Sequence, residues 1–158
     1  MLVRGIVDED FVNYKEPCMF ISTAFCTFKC EQESGIKCCQ NHGLSDSTII
    51  NVKIGETVDR YISNPITKAV CFGGLEPIEQ FDDVMDFIAK LRSRDCNDTV
   101  IIYTGFYKNE IEPQIEALGK FPNIIVKFGR YVPNQGSHRD ELLGVNLASP
   151  NQYAEVIS

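Results

Sequence analysis

The sequence predicts an α/β domain built on a parallel sheet, and three observations carry that reading. Continuous apolar runs of strand length recur at Met19–Phe25, Lys68–Phe72, Thr99–Tyr103 and Asn123–Phe128, as in strands buried on both faces. Between them lie helical periods. The clearest spans Ile78–Arg92, where Ile78, Phe81, Val84, Met85, Ile88 and Leu91 recur every three or four residues. Strand, helix, strand, helix, strand is the order of a sheet covered by helices.

The elements follow in order. Residues 2–7 read as a short strand, 8–15 as a polar loop, and Glu16–Pro17 hold the next segment extended. Met19–Phe25 is a buried strand, and a cysteine loop follows from Cys26 to about Gly43. Thr48–Val52 is a short strand or turn. Gly55–Ser63 is helical, with Val58 and Ile62 on one face, and Asn64–Pro65 ends it. In the helix at 78–92, acidic Glu79, Asp82 and Asp83 come early and Lys90 and Arg92 late, each sign matching the helix dipole. A further helix spans 109–118, with Pro113 in its first turn and Gly119 after it. Residues 133–139 read as a loop and 144–148 as a last short strand. No repeat or linker interrupts the 158 residues, which suffice for one domain with a core of its own.

Composition excludes some function classes. Fifteen Lys and Arg against 22 Asp and Glu give a net charge of −7, which argues against a nucleic-acid surface. No apolar run reaches the length of a membrane span. The N-terminal MLVRGIVDEDF turns acidic at once and does not read as a signal peptide. A cytoplasmic location is the expectation, where thiols stay reduced.

Seven cysteines then need a reason other than disulfides, and five of them fall between Cys18 and Cys39. Cys26 and Cys30 stand in C-x3-C spacing after a strand, and the pair Cys38–Cys39 follows. Three thiolates cannot close a four-coordinate zinc site. They can hold three irons of a [4Fe–4S] cluster and leave the fourth open. Cys30, Cys38, Cys39 and His42 could instead make a Cys3His zinc site, although adjacent cysteines reach one small ion poorly. His42 reads better as a solvated loop histidine. The bland alternative is reduced, buried cysteine, and Cys71 and Cys96 fit it.

The loops after the strands' carboxyl ends begin at Cys26, Gly73, Thr104 and Gly129, and in parallel sheets such loops share one rim and build the site. CFGGLEP, Cys71–Pro77, places two glycines between strand and helix. There backbone can approach a ligand and a helix N-terminus can meet a carboxylate. A plain tight turn explains the same residues equally well.

Taken together, a strand ending in C-x3-C, then Cys39-Gln40-Asn41, then a strand ending in Gly73-Gly74-x-Glu76-Pro77, resembles the radical S-adenosylmethionine (SAM) superfamily. YTGF at 103–106, FGRY at 128–131 and LASPNQ at 147–152 resemble the activating protein of anaerobic (class III) ribonucleotide reductase, a similarly short family. The chain departs in two places. The superfamily's C-x3-C-x2-C would put a cysteine at Glu33, and Leu75 is inserted into the usual GGEP. Aligning the x-Asn signature makes Cys39 the third cysteine, in C-x3-C-x8-C spacing.

The resemblance implies a partial (β/α) barrel, open on one side, as a compact single domain over 1–158 with its cysteine loop at 26–41. It implies a [4Fe–4S] cluster on Cys26, Cys30 and Cys39, with Cys38 as the alternative third ligand. SAM would bind the open iron, with Gly73, Gly74 and Glu76 at its amino group and Thr104, Gly105 and Asn41 at the edge. One electron would cleave SAM, and the resulting radical would take a hydrogen from a glycine of the reductase's large subunit. A flavodoxin or ferredoxin would supply the electron. No residue is assigned as general acid or base. Two alternatives stand beside this reading: a small radical SAM enzyme acting on another peptide or small molecule, and a non-catalytic iron–sulfur or zinc protein.

Overall fold

The structure, a computed structural model, describes residues 1–158. Its core is one seven-stranded sheet with β1 (Leu2–Asp10), β2 (Cys18–Thr23), β3 (Ile50–Asn51), β4 (Ala69–Gly74), β5 (Thr99–Tyr103), β6 (Ile124–Phe128) and, last in the chain, β9 (Tyr153–Val156). The order across the sheet is β3-β1-β2-β4-β5-β6-β9. The four expected apolar strands, β2, β4, β5 and β6, pair in parallel. Both flanks are antiparallel, β1 against β2 and β9 against β6. The sheet is therefore mixed, and its linear order leaves two open edges at β3 and β9.

Two strand expectations change. β1 runs on to Asp10 because only Leu2 and Val3 pair with β3; beyond them one side of the strand is an edge, where charge is tolerated. Asp10 then turns the chain, accepting from Val12 N (3.0 Å) and Asn13 N (2.8 Å). β9 was not foreseen, since four residues with a charge among them give little period to read.

The helices are α1 (Lys29–Ser34), α2 (Ile54–Ile62), α3 (Phe81–Arg92) and α4 (Glu112–Leu118). The expected helix over 78–92 is broken at its start: Pro77–Gln80 form a 3-10 turn, and α3 begins at Phe81. Gln80 takes φ −125° there, and its side chain ties Ala24 N to Leu2 O. The expected helix over 109–118 divides likewise into a 3-10 turn and α4, with Pro113 in the first turn. The cysteine loop is not wholly irregular, because it contains α1.

One face of the sheet is covered by α2, α3 and α4. Val58, Tyr61, Val84, Phe87, Leu91 and Leu118 meet the outward side chains of the strands there. Phe87 packs edge-on to Phe72 with ring centroids 5.2 Å apart. The other face is covered only at the strands' amino ends. Tyr14 and the hairpin of β7 (His138–Asp140) and β8 (Val145–Leu147) lie over Cys18, Ala69, Cys71, Ile101 and Ile125. The expected loop at 133–139 gives way to β7 only from His138, the expected last strand at 144–148 is β8, and the hairpin forms a separate small sheet. At the carboxyl ends the hairpin does not reach the same face, and that half is the floor of a pocket.

No helix is long and apolar enough to cross a membrane.

Candidate metal centre and ligand pocket

The pocket has a volume of about 370 Å3. Its floor is Phe20, Ser22, Tyr103 and Lys127, the inward side chains of β2, β5 and β6. Its roof is the cysteine loop, which is fastened at both ends to the turn after β4. Phe25 O accepts from Glu76 N (2.8 Å), and Thr27 donates N–H and O–H to Glu79 Oε1 (2.8 and 2.6 Å). At the far end Asn41 Nδ2 donates to Gly74 O (2.7 Å).

Cys26, Cys30 and Cys39 all line this pocket; Cys38 does not. The Cys38 thiol turns away, 3.2 Å from Ser34 Oγ and 3.7 Å from Cys30 O. Burial pushes the Cys26 thiol up to about 12, against the Phe28 N–H that it accepts at 3.2 Å. Burial, with the neighbouring Cys39 and Cys38 thiols, does the same to Cys30. Phe28, at φ 53°, takes a left-handed conformation unusual for a non-glycine and opens α1 in doing so.

The zinc constellation is not assembled. Cys38 faces elsewhere, and His42 Nδ1 is 3.1 Å from Glu31 Oε1 with its ring against Phe28. His42 is thus partly packed, with its side chain still 27% exposed. No three Cys, His, Asp or Glu side chains converge closely enough for a single ion.

Gly74, Glu76, Thr104, Gly105 and Asn41 also line the pocket. Gly73 does not: it is buried on β4, where a Cβ would lie 3.1 Å from the Phe20 ring. Gly74 sits at φ +77°, and a Cβ would meet Leu44 and Ser22 at 2.9 Å. Its glycine is needed by the backbone and by the folded-over loop together. Glu76 is 6% exposed. It accepts from Thr104 Oγ1 (2.7 Å), Gly105 N (2.8 Å) and Ile78 N (3.1 Å). Burial raises its pKa in spite of these donors. The inserted Leu75 is buried and forms part of the wall.

Sequence reasoning missed the basic residues. Lys127 is 7% exposed, donates to Gly129 O (2.9 Å), and burial lowers its pKa to about 8. A lysine inside the apolar run NIIVKF was the signal available. Arg130 lines the pocket. It pairs with Glu110 (Nη1–Oε2 2.8 Å) and with Glu33 (Nε–Oε1 3.1 Å), and its guanidinium lies 4.7 Å from the Tyr107 ring centre. Glu33 stands where a C-x2-C spacing would place a cysteine, and here it is an ion-pair partner. Lys29 adds a second tie, 3.6 Å from Glu110 and over the Phe106 ring at 4.3 Å. Hydrogen bonds to Arg130 hold Glu110 down at about 2.

The terminal LASPNQ segment has a structural role. Gln152 accepts from Ala148 N (2.9 Å) and donates to Gly129 O (3.2 Å), while Asn151 donates to Arg130 O (2.8 Å). It pins the FGRY segment against the pocket.

The three thiols suit an iron–sulfur cluster. They are unmixed sulfur donors spread along one wall of a cavity rather than drawn to a point, as thiolate ligation of separate irons requires. A family model described as "4Fe-4S single cluster domain" matches residues 18–149, from the start of β2 to beyond β8. No curated protein matches the chain.

Proposed function

Because the chain belongs to the 4Fe–4S single cluster domain family, we propose that Cys26, Cys30 and Cys39 carry its cluster and that the pocket beside them binds SAM. The protein would then act as an activase, installing a glycyl radical on an anaerobic ribonucleotide reductase. The observation that carries this reading is the shared pocket: three thiols and the Gly74–Glu76 turn open on one cavity of about 370 Å3.

When bound, the cluster and SAM supply the one-electron cleavage chemistry, and the chain's residues do the rest. Glu76 is aimed by Thr104, Gly105 and Ile78. Two of these donors use Oε1 and one uses Oε2. A carboxylate accepts about four hydrogen bonds, so Oε2 keeps one acceptor position for a ligand ammonium. Asn41 fastens the roof to the turn. Phe20, Leu44, Leu75 and Tyr103 line an apolar wall that limits water. Because the pocket opens to the surface, a glycine-bearing loop of the reductase's large subunit is the proposed closing piece. A flavodoxin- or ferredoxin-like donor would deliver the electron.

Iron and sulfide analysis of anaerobically prepared protein, followed by a SAM-cleavage assay, tests the cofactor assignment. Adding the cognate reductase then should give an electron paramagnetic resonance doublet on the partner. Its absence, with cluster and SAM cleavage intact, would sink the activase reading and favour a small-molecule or peptide substrate. An intact cluster without SAM cleavage would leave an iron–sulfur binding protein.

A further inference from the structure

The loop that separates Cys30 from the next cysteines is long, and it ends in two adjacent thiols of which only one faces the pocket. Two contacts from α1 decide which. Glu31 Oε1 accepts the Cys39 backbone N–H at 3.0 Å. Ser34 Oγ, one turn further on, lies 3.2 Å from Cys38 Sγ. The Glu31 side chain is only 16% exposed, and it is braced from behind by His42 Nδ1 at 3.1 Å. The His42 ring is in turn packed on Phe28 at 5.0 Å between centroids. Glu31 follows Cys30 directly, so one short helix holds a pocket thiol and the backbone of another.

We propose that Glu31 is a positioning residue, which fixes the register of the Cys38–Cys39 pair and so selects Cys39 over Cys38 as the third cluster ligand. The inference rests on the cluster assignment above. The physical reason is simple. Without the anchor, a one-residue slip of the Cys38–Cys39 segment exchanges the two thiols, and only the Ser34 contact and the Asn41 tie to Gly74 O remain against it. An acceptor fixed on the Cys39 N–H does oppose it. Outer partners of this kind commonly tune metal retention by about 10-fold to 100-fold.

The test uses the full chain, reconstituted anaerobically with iron and sulfide, and reads cluster loss to a chelator by visible absorbance and iron content. Cys38→Ser should resemble the wild type, and Cys39→Ser should lose the cluster. Glu31→Ala should release iron about 10-fold faster. Glu31→Gln keeps an amide oxygen for the Cys39 N–H and should retain most of the wild-type resistance. On the Glu31→Ala background, Cys38→Ser should cause a further loss, because Cys38 has begun to substitute for Cys39. Equal impairment of Glu31→Ala and Glu31→Gln would overturn the role of the acceptor. No added effect of Cys38→Ser on Glu31→Ala would overturn the selection, and so would wild-type iron retention in Glu31→Ala. A wild-type chain that takes up no iron would instead overturn the cluster assignment itself.

Discussion

Lys127 carries a charge where charges are disfavoured, and replacing it by methionine measures how much. Burial lowers its ammonium from an ordinary 10.5 to about 8, although the Glu76 carboxylate acts in the opposite direction. That difference corresponds to roughly 3 kcal/mol against the charged form at about pH 7. Methionine has similar length and volume and no charge. The substitution gives up the bond from Nζ to Gly129 O. That carbonyl keeps Gln152 Nε2 as a second donor, so it is not orphaned. Lys127→Met should therefore stabilise the protein by roughly 1–3 kcal/mol at about pH 7. For a chain of this size each kcal/mol raises Tm by about 2–4 °C.

The pH dependence is the sharper readout. The folded value lies below the unfolded one, so between about pH 8 and about pH 10.5 the unfolded chain binds more protons, and wild-type stability rises with pH. The penalty falls from roughly 3 kcal/mol at about pH 7 to roughly 1 kcal/mol at about pH 9.5. The advantage of Lys127→Met should shrink by about 2 kcal/mol over that range. Titrating groups that do not interact with Lys127 as Glu76 does are common to both proteins and cancel. Anaerobic urea unfolding of both proteins at the two pH values supplies the comparison. A stability gap that does not change with pH would refute the reasoning, as would a variant less stable at both.

Three further outcomes are expected. Cys26→Ser, Cys30→Ser and Cys39→Ser should each abolish iron binding, while Cys18→Ser, Cys71→Ser and Cys96→Ser keep it; iron and sulfide content decides. Gly74→Val must adopt φ +77° and press on Leu44 and Ser22, at a cost of roughly 1–2 kcal/mol from the backbone alone. It should weaken SAM binding without removing iron, and calorimetric titration with iron analysis would expose any other result. Glu110 is held at about 2 by Arg130, below an ordinary 4.5. It therefore contributes stability that is present above about pH 4.5 and lost as pH falls toward 2. In Arg130→Met that loss should flatten on the acid limb of a circular-dichroism stability curve, and an unchanged limb would contradict the ion pair.

The sequence made the centre of the fold legible because its signals are local and strong. Four continuous apolar runs became the four parallel strands, and the periodicity at 81–92 became α3. The rim followed from the parallel order: of the loop starts Cys26, Gly73, Thr104 and Gly129, all but Gly73 line one cavity. What escaped was decided by tertiary contact. β9 is recognisable only through its pairing with β6. α1 is six residues long, shorter than periodicity can register. Gly73 and Gly74 are adjacent, yet Gly73, paired with Ser22, is covered by the Phe20 ring, while Gly74 leaves strand geometry at φ +77° and opens to the pocket. Arg130 and Glu110 lie far apart in sequence, and nothing local announces that they meet.

The divided construction of the pocket bears on how its cysteine loop could change length. The floor is strand, rigid and set by the sheet, while the roof is a separate excursion returning to a fixed anchor at Asn41 and Gly74. Stretching the interval from Cys30 to the third thiol from three residues to nine costs about 1 kcal/mol of closure entropy. The bond from Glu31 to the Cys39 N–H is worth about as much, and hydrogen bonds to charged groups often more. An excursion held in this way is nearly neutral in stability. The spacing of the last cysteine can then change while the cavity beneath keeps its shape.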